Sequence, residues 1–131
     1  MTDETLDKRE SMRAFFTLDD NIGVTAIPRA ERAVSFPGIL LSICVGGMSF
    51  FAARQKVAGI QEGDRLAING IRAPLPLGAL PEMEVAIKYI LDYPIDVRVV
   101  LGCEFTHLPK EERQRIEAYV NERLQMVQEN G

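Results

Sequence analysis

The sequence predicts a mainly β domain, an antiparallel sheet curled into a small barrel with one helix packed across or beside it. Apolar residues recur at period two in several short segments, and glycine- and proline-bearing breaks separate those segments. Only the C-terminal stretch switches to helical spacing. Short strands followed by a single helix give a curled antiparallel sheet. A chain of 131 residues makes one compact domain and is too short for two ordinary ones. It needs neither metal nor disulfide to bury a core.

Residues 1–13 are polar and crowded with charge (Asp3, Glu4, Asp7, Lys8, Arg9, Glu10, Arg13), which predicts an exposed arm that a partner could order. Residues 14–131 are then the folded domain. The first strand covers Ile22 to Ile27 and stops at Pro28. Gly38 to Val45 is the second, with Ile39, Leu41, Ile43 and Val45 expected on the core face and Leu40, Ser42 and Cys44 together on the other. Gly46-Gly47 turns the chain into a returning strand, Met48 to Ala53. Leu66 and Ile68 mark a further strand, and Asn69-Gly70 is a hairpin-turn signal. Prolines make 73–81 a loop. Alternation over Met83 to Leu91 favours a strand, although Met83, Ile87, Ile90 and Leu91 also fit helical spacing. Val97 to Phe105 alternates cleanly. Acidic residues after Pro109 suit a helix N-terminus, and Ile116, Tyr119, Val120, Leu124 and Val127 give an amphipathic helix over 110–128.

Several function classes fall away. A net charge of −4 argues against a broad basic face for a nucleic-acid polymer. Cys44 and Cys103 supply neither a disulfide framework nor metal-ligand spacing, and a single histidine, His107, has no evident catalytic partner. No nucleophile–base set or phosphate loop is visible, so an enzyme is not expected. The uncharged run 33–53 is long enough to cross a bilayer, but Pro37, Gly38 and Gly46-Gly47 would break the helix that lipid demands. The acidic N-terminus does not read as a signal peptide. The expectation is a cytoplasmic protein without membrane insertion.

Two short motifs and the strand-to-helix ending form a recognisable order. Arg9 to Arg13 has the form R-x-x-x-R; Ser42-Ile43-Cys44-Val45-Gly46-Gly47 follows, and then Leu101 to Phe105 leads through Leu108-Pro109 into Ile116 and Tyr119. From Lys8 to about Leu124 this order resembles the PilZ domain, a bacterial six-stranded barrel that binds cyclic di-GMP. The resemblance implies that Arg9 and Arg13 clamp the ligand, with Lys8 as supporting charge. Against them it sets a D/N-x-S-x-x-G motif, in which Gly47 keeps the glycine. Ser42 stands where Asp or Asn is expected, and Cys44 where Ser is expected.

The chemistry of these residue types is consistent with that ligand. A guanidinium can pair with phosphate oxygens or guanine O6 and N7 and can stack on a base, so two arginines four apart can bring two forks to one compact dianion. Ordering the arm costs entropy that the charge-assisted bonds must offset. A carboxylate or amide accepts from guanine N1–H and N2–H together. A hydroxyl accepts only part of that pattern, and a thiol is weak in either role. The exchange costs roughly 1–3 kcal/mol, or about ten- to a hundredfold in affinity. The reading is therefore a cyclic di-GMP sensor without a cofactor, monomeric or homodimeric, that couples its arm to an unidentified protein partner. A PilZ-like adaptor that has lost its nucleotide is the alternative.

Overall fold

A computed structural model of the chain describes residues 13–30, 33–73, 77–93 and 95–130, with side chains only as far as Leu124. Seven strands and one long helix follow in order: β1 (Ala14–Phe15), β2 (Gly23–Pro28), β3 (Phe36–Ile43), β4 (Gly47–Ala53), β5 (Arg65–Asn69), β6 (Met83–Asp92), β7 (Arg98–His107) and α1 (Lys110–Asn130). The sheet order is β1-β3-β2-β5-β6-β7-β4, and β3 also pairs with β4. That last pairing closes β2 to β7 into a six-stranded antiparallel barrel, with β1 as an extra strand. Closure removes most of the edges an open sheet would expose.

The barrel interior is filled from every strand. Val24 and Ala26, Leu40, Met48 and Phe50, Leu66 and Ile68, Val85 and Ile87, and Val99 and Leu101 are all buried. Met83–Leu91 is strand rather than helix, because its alternate residues face this core while β5 and β7 take its backbone bonds. The helix closes one side with Ile116, Tyr119 and Val120. Asn69-Gly70 ends β5 with Gly70 at positive φ, yet the strands it separates are joined by the long connection 70–82 and not by a tight hairpin. That connection carries its own buried residues, Ile71, Leu77 and Leu80. Arg115 on α1 holds it, donating to the Leu77 carbonyl (2.5 Å) and the Ala79 carbonyl (3.0 Å).

β3 departs from the alternation expected of it. Leu40 and Ile43 are in the core, whereas Ile39 and Leu41 are half-buried. The β3–β4 register shifts between Leu40 and Ser42, so Leu41 is an extra residue on its strand. A bulge resets the period-two pattern, so Ile43 is in the core as expected, while before the bulge Leu40 and not Ile39 takes the core side.

Two glycines sit where side chains would collide, for different reasons. A Cβ on Gly47 would meet the Cys103 carbonyl on β7, a backbone atom that the ladder holds in place. A Cβ on Gly102 would meet the Tyr89 ring, which covers it from the opposite position on β6. The ring can swing away; the carbonyl cannot. Gly47→Ala should therefore cost about 1–3 kcal/mol in urea unfolding, and Gly102→Ala clearly less. Equal costs would show that β7 yields as readily as an exposed ring.

Candidate functional site

The arm joins the barrel through two residues. Ala14 pairs with Ile43 and Phe15 with Ser42, so β1 extends the sheet along the end of β3. Phe16 N–H then donates to the Leu41 carbonyl (2.8 Å). A 3-10 turn follows, in which Thr17 and Asp20 form a reciprocal cap and Asn21 adopts the left-handed region, φ 48°. This turn redirects the chain into β2, which pairs with the other half of β3.

The helix fastens the same segment from outside. Phe16 stacks on Tyr119 with ring centroids 6.1 Å apart, and the Arg123 guanidinium lies over both rings. Arg123 also donates to the Phe15 carbonyl (3.1 Å). The Tyr119 hydroxyl is buried with no hydrogen-bond partner among the described residues. Burial raises its pKa, with the Arg123 charge opposing.

This anchoring fixes Arg13. Its guanidinium donates to the Ser42 hydroxyl at 3.0 Å, and Ser42 Oγ lies 2.6 Å from Ser49 Oγ on β4. The structure thus brings the second arginine of the R-x-x-x-R motif onto the first position of the barrel motif. Lys8 and Arg9 lie outside the described residues. Ser49 is a member of this cluster that sequence patterning missed; the only signal was a serine opposite Ser42 in an otherwise apolar return strand.

Ser42 and Cys44 are not on an open surface as their alternation with the apolar residues suggested. They are 2% and 1% exposed, respectively. Ser42 does lie on the face opposite Ile43, but its neighbours cover it: it sits between Phe15 of β1 and Ser49 of β4, with Arg13 bonded to its hydroxyl. A hydroxyl oxygen has two lone pairs, and Arg13 uses one. Ser42 therefore has at most one acceptor position left for a guanine edge. On the side where a Cβ would project, Gly47 is packed against the Cys103 carbonyl of β7. The turn itself is closed by the Cys44 N–H donating to the Gly47 carbonyl (2.9 Å) and the Phe105 N–H to the Gly46 carbonyl (2.9 Å). Next to it, Val45, Gly46, Thr106, His107 and Arg113 line a cleft of about 230 Å³.

Among the described residues no three His, Cys, Asp or Glu side chains gather as a metal site requires, and no helix is long and apolar enough to cross a membrane. The fold itself is that of a PilZ-type barrel. It superposes on the PilZ domain with c-di-GMP of YcgR from Escherichia coli with a TM-score of 0.69 at 17% identity, covering 90% of this chain and 92% of that one. The Bacillus subtilis inhibitor of motility MotI matches with a TM-score of 0.65 at 18% identity over 86% of this chain, which spans 49% of MotI. The Borreliella burgdorferi PlzA protein in complex with c-di-GMP matches with a TM-score of 0.59 at 11% identity, over 95% of this chain and 56% of PlzA. No protein-family model and no curated protein matches the chain.

Ser49→Ala would leave the buried Ser42 hydroxyl short of a partner and should lower stability by about 1 kcal/mol in urea unfolding. An unchanged midpoint would mean that Arg13 alone satisfies Ser42. Burial pushes the Cys103 thiol up to about 12, from an ordinary value of 9.0. The folded state therefore holds this proton where the unfolded chain loses it, so the associated stability is intact below pH 9 and disappears as pH rises toward 12. Disulfide-exchange reagents should label Cys103 at pH 8 only as fast as the protein opens. Labelling faster than opening would contradict the burial.

Proposed function

We propose that the chain is a cyclic di-GMP sensor in which Arg9 and Arg13, supported by Lys8, close over the barrel beside Ser42, Cys44 and Gly47. The observation that carries this reading is the Arg13–Ser42 hydrogen bond, which joins the two motif regions across the β1–β3 pairing. Two neighbours of the same fold are complexes with this nucleotide, which supports the ligand class. Arginine forks supply the charge-assisted bonds that a dianion requires. Binding would order residues 8–13 against the barrel and alter the surface offered to a protein partner, a shift driven by differential affinity for the two arm states. The chain acts in this reading as a cytoplasmic, non-enzymatic effector that neither enters a membrane nor binds a nucleic-acid polymer. One neighbour is an inhibitor of motility, and control of motility, pilus, biofilm or secretion is the matching output class.

A nucleotide-free adaptor is the second reading. The burial of Ser42 and Cys44, with the Ser42 hydroxyl already engaged by Arg13 and Ser49, favours it.

Calorimetric titration with cyclic di-GMP separates the two. The sensor gives binding heat that weakens about ten- to a hundredfold in the Arg9→Ala/Arg13→Ala variant, the scale of one or two lost charge-assisted bonds. Ser42→Asp with Cys44→Ser should tighten binding about tenfold by restoring a two-oxygen acceptor. A wild-type chain that takes up no nucleotide overturns the sensor, binding that appears only after the reversion fits the adaptor, and a reverted chain that binds no better shows that Ser42 and Cys44 are not what limits affinity.

A further inference from the structure

The barrel closes fully over only part of β6. β5 covers it from Met83 to Ala86, and backbone bonds from the Gly63 N–H to the Ile87 carbonyl (2.7 Å) and from the Ile87 N–H to the Asp64 carbonyl (2.9 Å) extend the cover by one residue. Beyond that, Lys88-Tyr89-Ile90-Leu91-Asp92 has β7 on one side and, among the described residues, no strand on the other. Tyr89 and Leu91 are exposed on this segment. The hairpin tip beyond it is more apolar still, with Ile95 99%, Val97 77% and Tyr93 59% exposed. The segment is also rigidly placed. Arg54 bonds both Asp92 Oδ1 (2.7 Å) and the Tyr93 carbonyl (2.5 Å), and Asp96 Oδ1 accepts from the Arg98 N–H (2.9 Å). An exposed, ordered, apolar edge is a template for a further strand.

We propose that the strand added here is the same edge of a second copy, forming a two-fold dimer whose sheet runs continuously through both barrels. Charge complementarity selects this occupant. An antiparallel pair of identical strands centred on Ile90 is the register that uses all of 88–92 in both copies. It sets Lys88 opposite Asp92 of the partner subunit, Tyr89 opposite Leu91 of the partner subunit, and Ile90 opposite its own counterpart. Both charges meet their opposites twice, and an aromatic–aliphatic pair lies between them. Lys88 is the extra residue of the β6–β7 bulge and has no cross-strand partner of its own. Asp92 binds Arg54 through Oδ1, leaving Oδ2 for an incoming ammonium. A lysine at this position deters an unrelated apolar strand, which offers it no carboxylate. A second copy offers one, and the two-fold operation makes the patch its own complement.

Sedimentation velocity on the full chain over a range of concentrations tests the dimer, with hydrogen exchange reporting which amides become protected. The wild type should move toward twice the monomer mass as concentration rises, and protection should appear at 88–92. Lys88→Asp alone places two acids opposite each other and should abolish the dimer. Lys88→Asp/Asp92→Lys restores the opposite pairs and should recover it, which a general loss of folding could not do. A chain monomeric at all concentrations, a dimer indifferent to Lys88→Asp, a swap that does not recover it, or protection of 88–92 only when a different protein is added would each overturn the proposal.

Discussion

The site depends on the two-residue pairing of β1 with the end of β3. Ala14–Phe15 against Ile43–Ser42 is short, and two residue pairs alone would not hold a strand in water. What makes it durable is burial on either side: Ala14 and Phe16 are in the core, and Tyr119 and Arg123 of the helix close over Phe16. Without that cover the arm would leave the barrel one turn earlier, and Arg13 would have no fixed relation to Ser42. The motif geometry is thus set less by the motif residues than by the apolar pair that precedes β2.

The same arrangement ties the helix to the arm. Arg123 bonds the Phe15 carbonyl and stacks on Phe16, so displacement of β1 would break contacts on α1. A ligand that re-sites Arg13 would therefore be felt at the helix through two neighbouring residues and needs no long relay. The Tyr119 hydroxyl beneath this contact, without a partner among the described residues, marks a place where packing, and not polar satisfaction, has been given priority. A buried polar atom of that kind makes the packed state easier to disturb than a fully apolar stack would be.

The barrel strands and the helix were legible because each buries one face, and burial writes a period into the sequence. Where the period is interrupted, reading fails. The Leu41 bulge moves Leu40 into the core, yet a bulge has no residue signature in Ile-Leu-Leu-Ser. β1 is too short to show a period. The Asn69-Gly70 signal identified a real strand end, but not what came after it, because Ile71, Leu77 and Leu80 draw the following loop into the core. The order of the two motifs was visible in the chain. Their contact through Arg13, and the part Ser49 plays in it, required tertiary placement.

A serine, and not an acid, at position 42 has an electrostatic consequence. The Ser42–Ser49 pair orients the guanidinium while leaving its charge intact, and among the described residues no carboxylate pairs with it. Uncancelled positive charge acts on phosphate over roughly a Debye length of 8 Å at physiological salt. In the proposed sensor the balance therefore moves away from reading the guanine edge and toward holding the phosphates. Recognition that rests on charge is weakened by added salt, whereas recognition that rests on a buried base edge is nearly indifferent to it. The proposed sensor belongs to the first kind, since the Ser42 hydroxyl is already engaged and no carboxylate among the described residues pairs with Arg13.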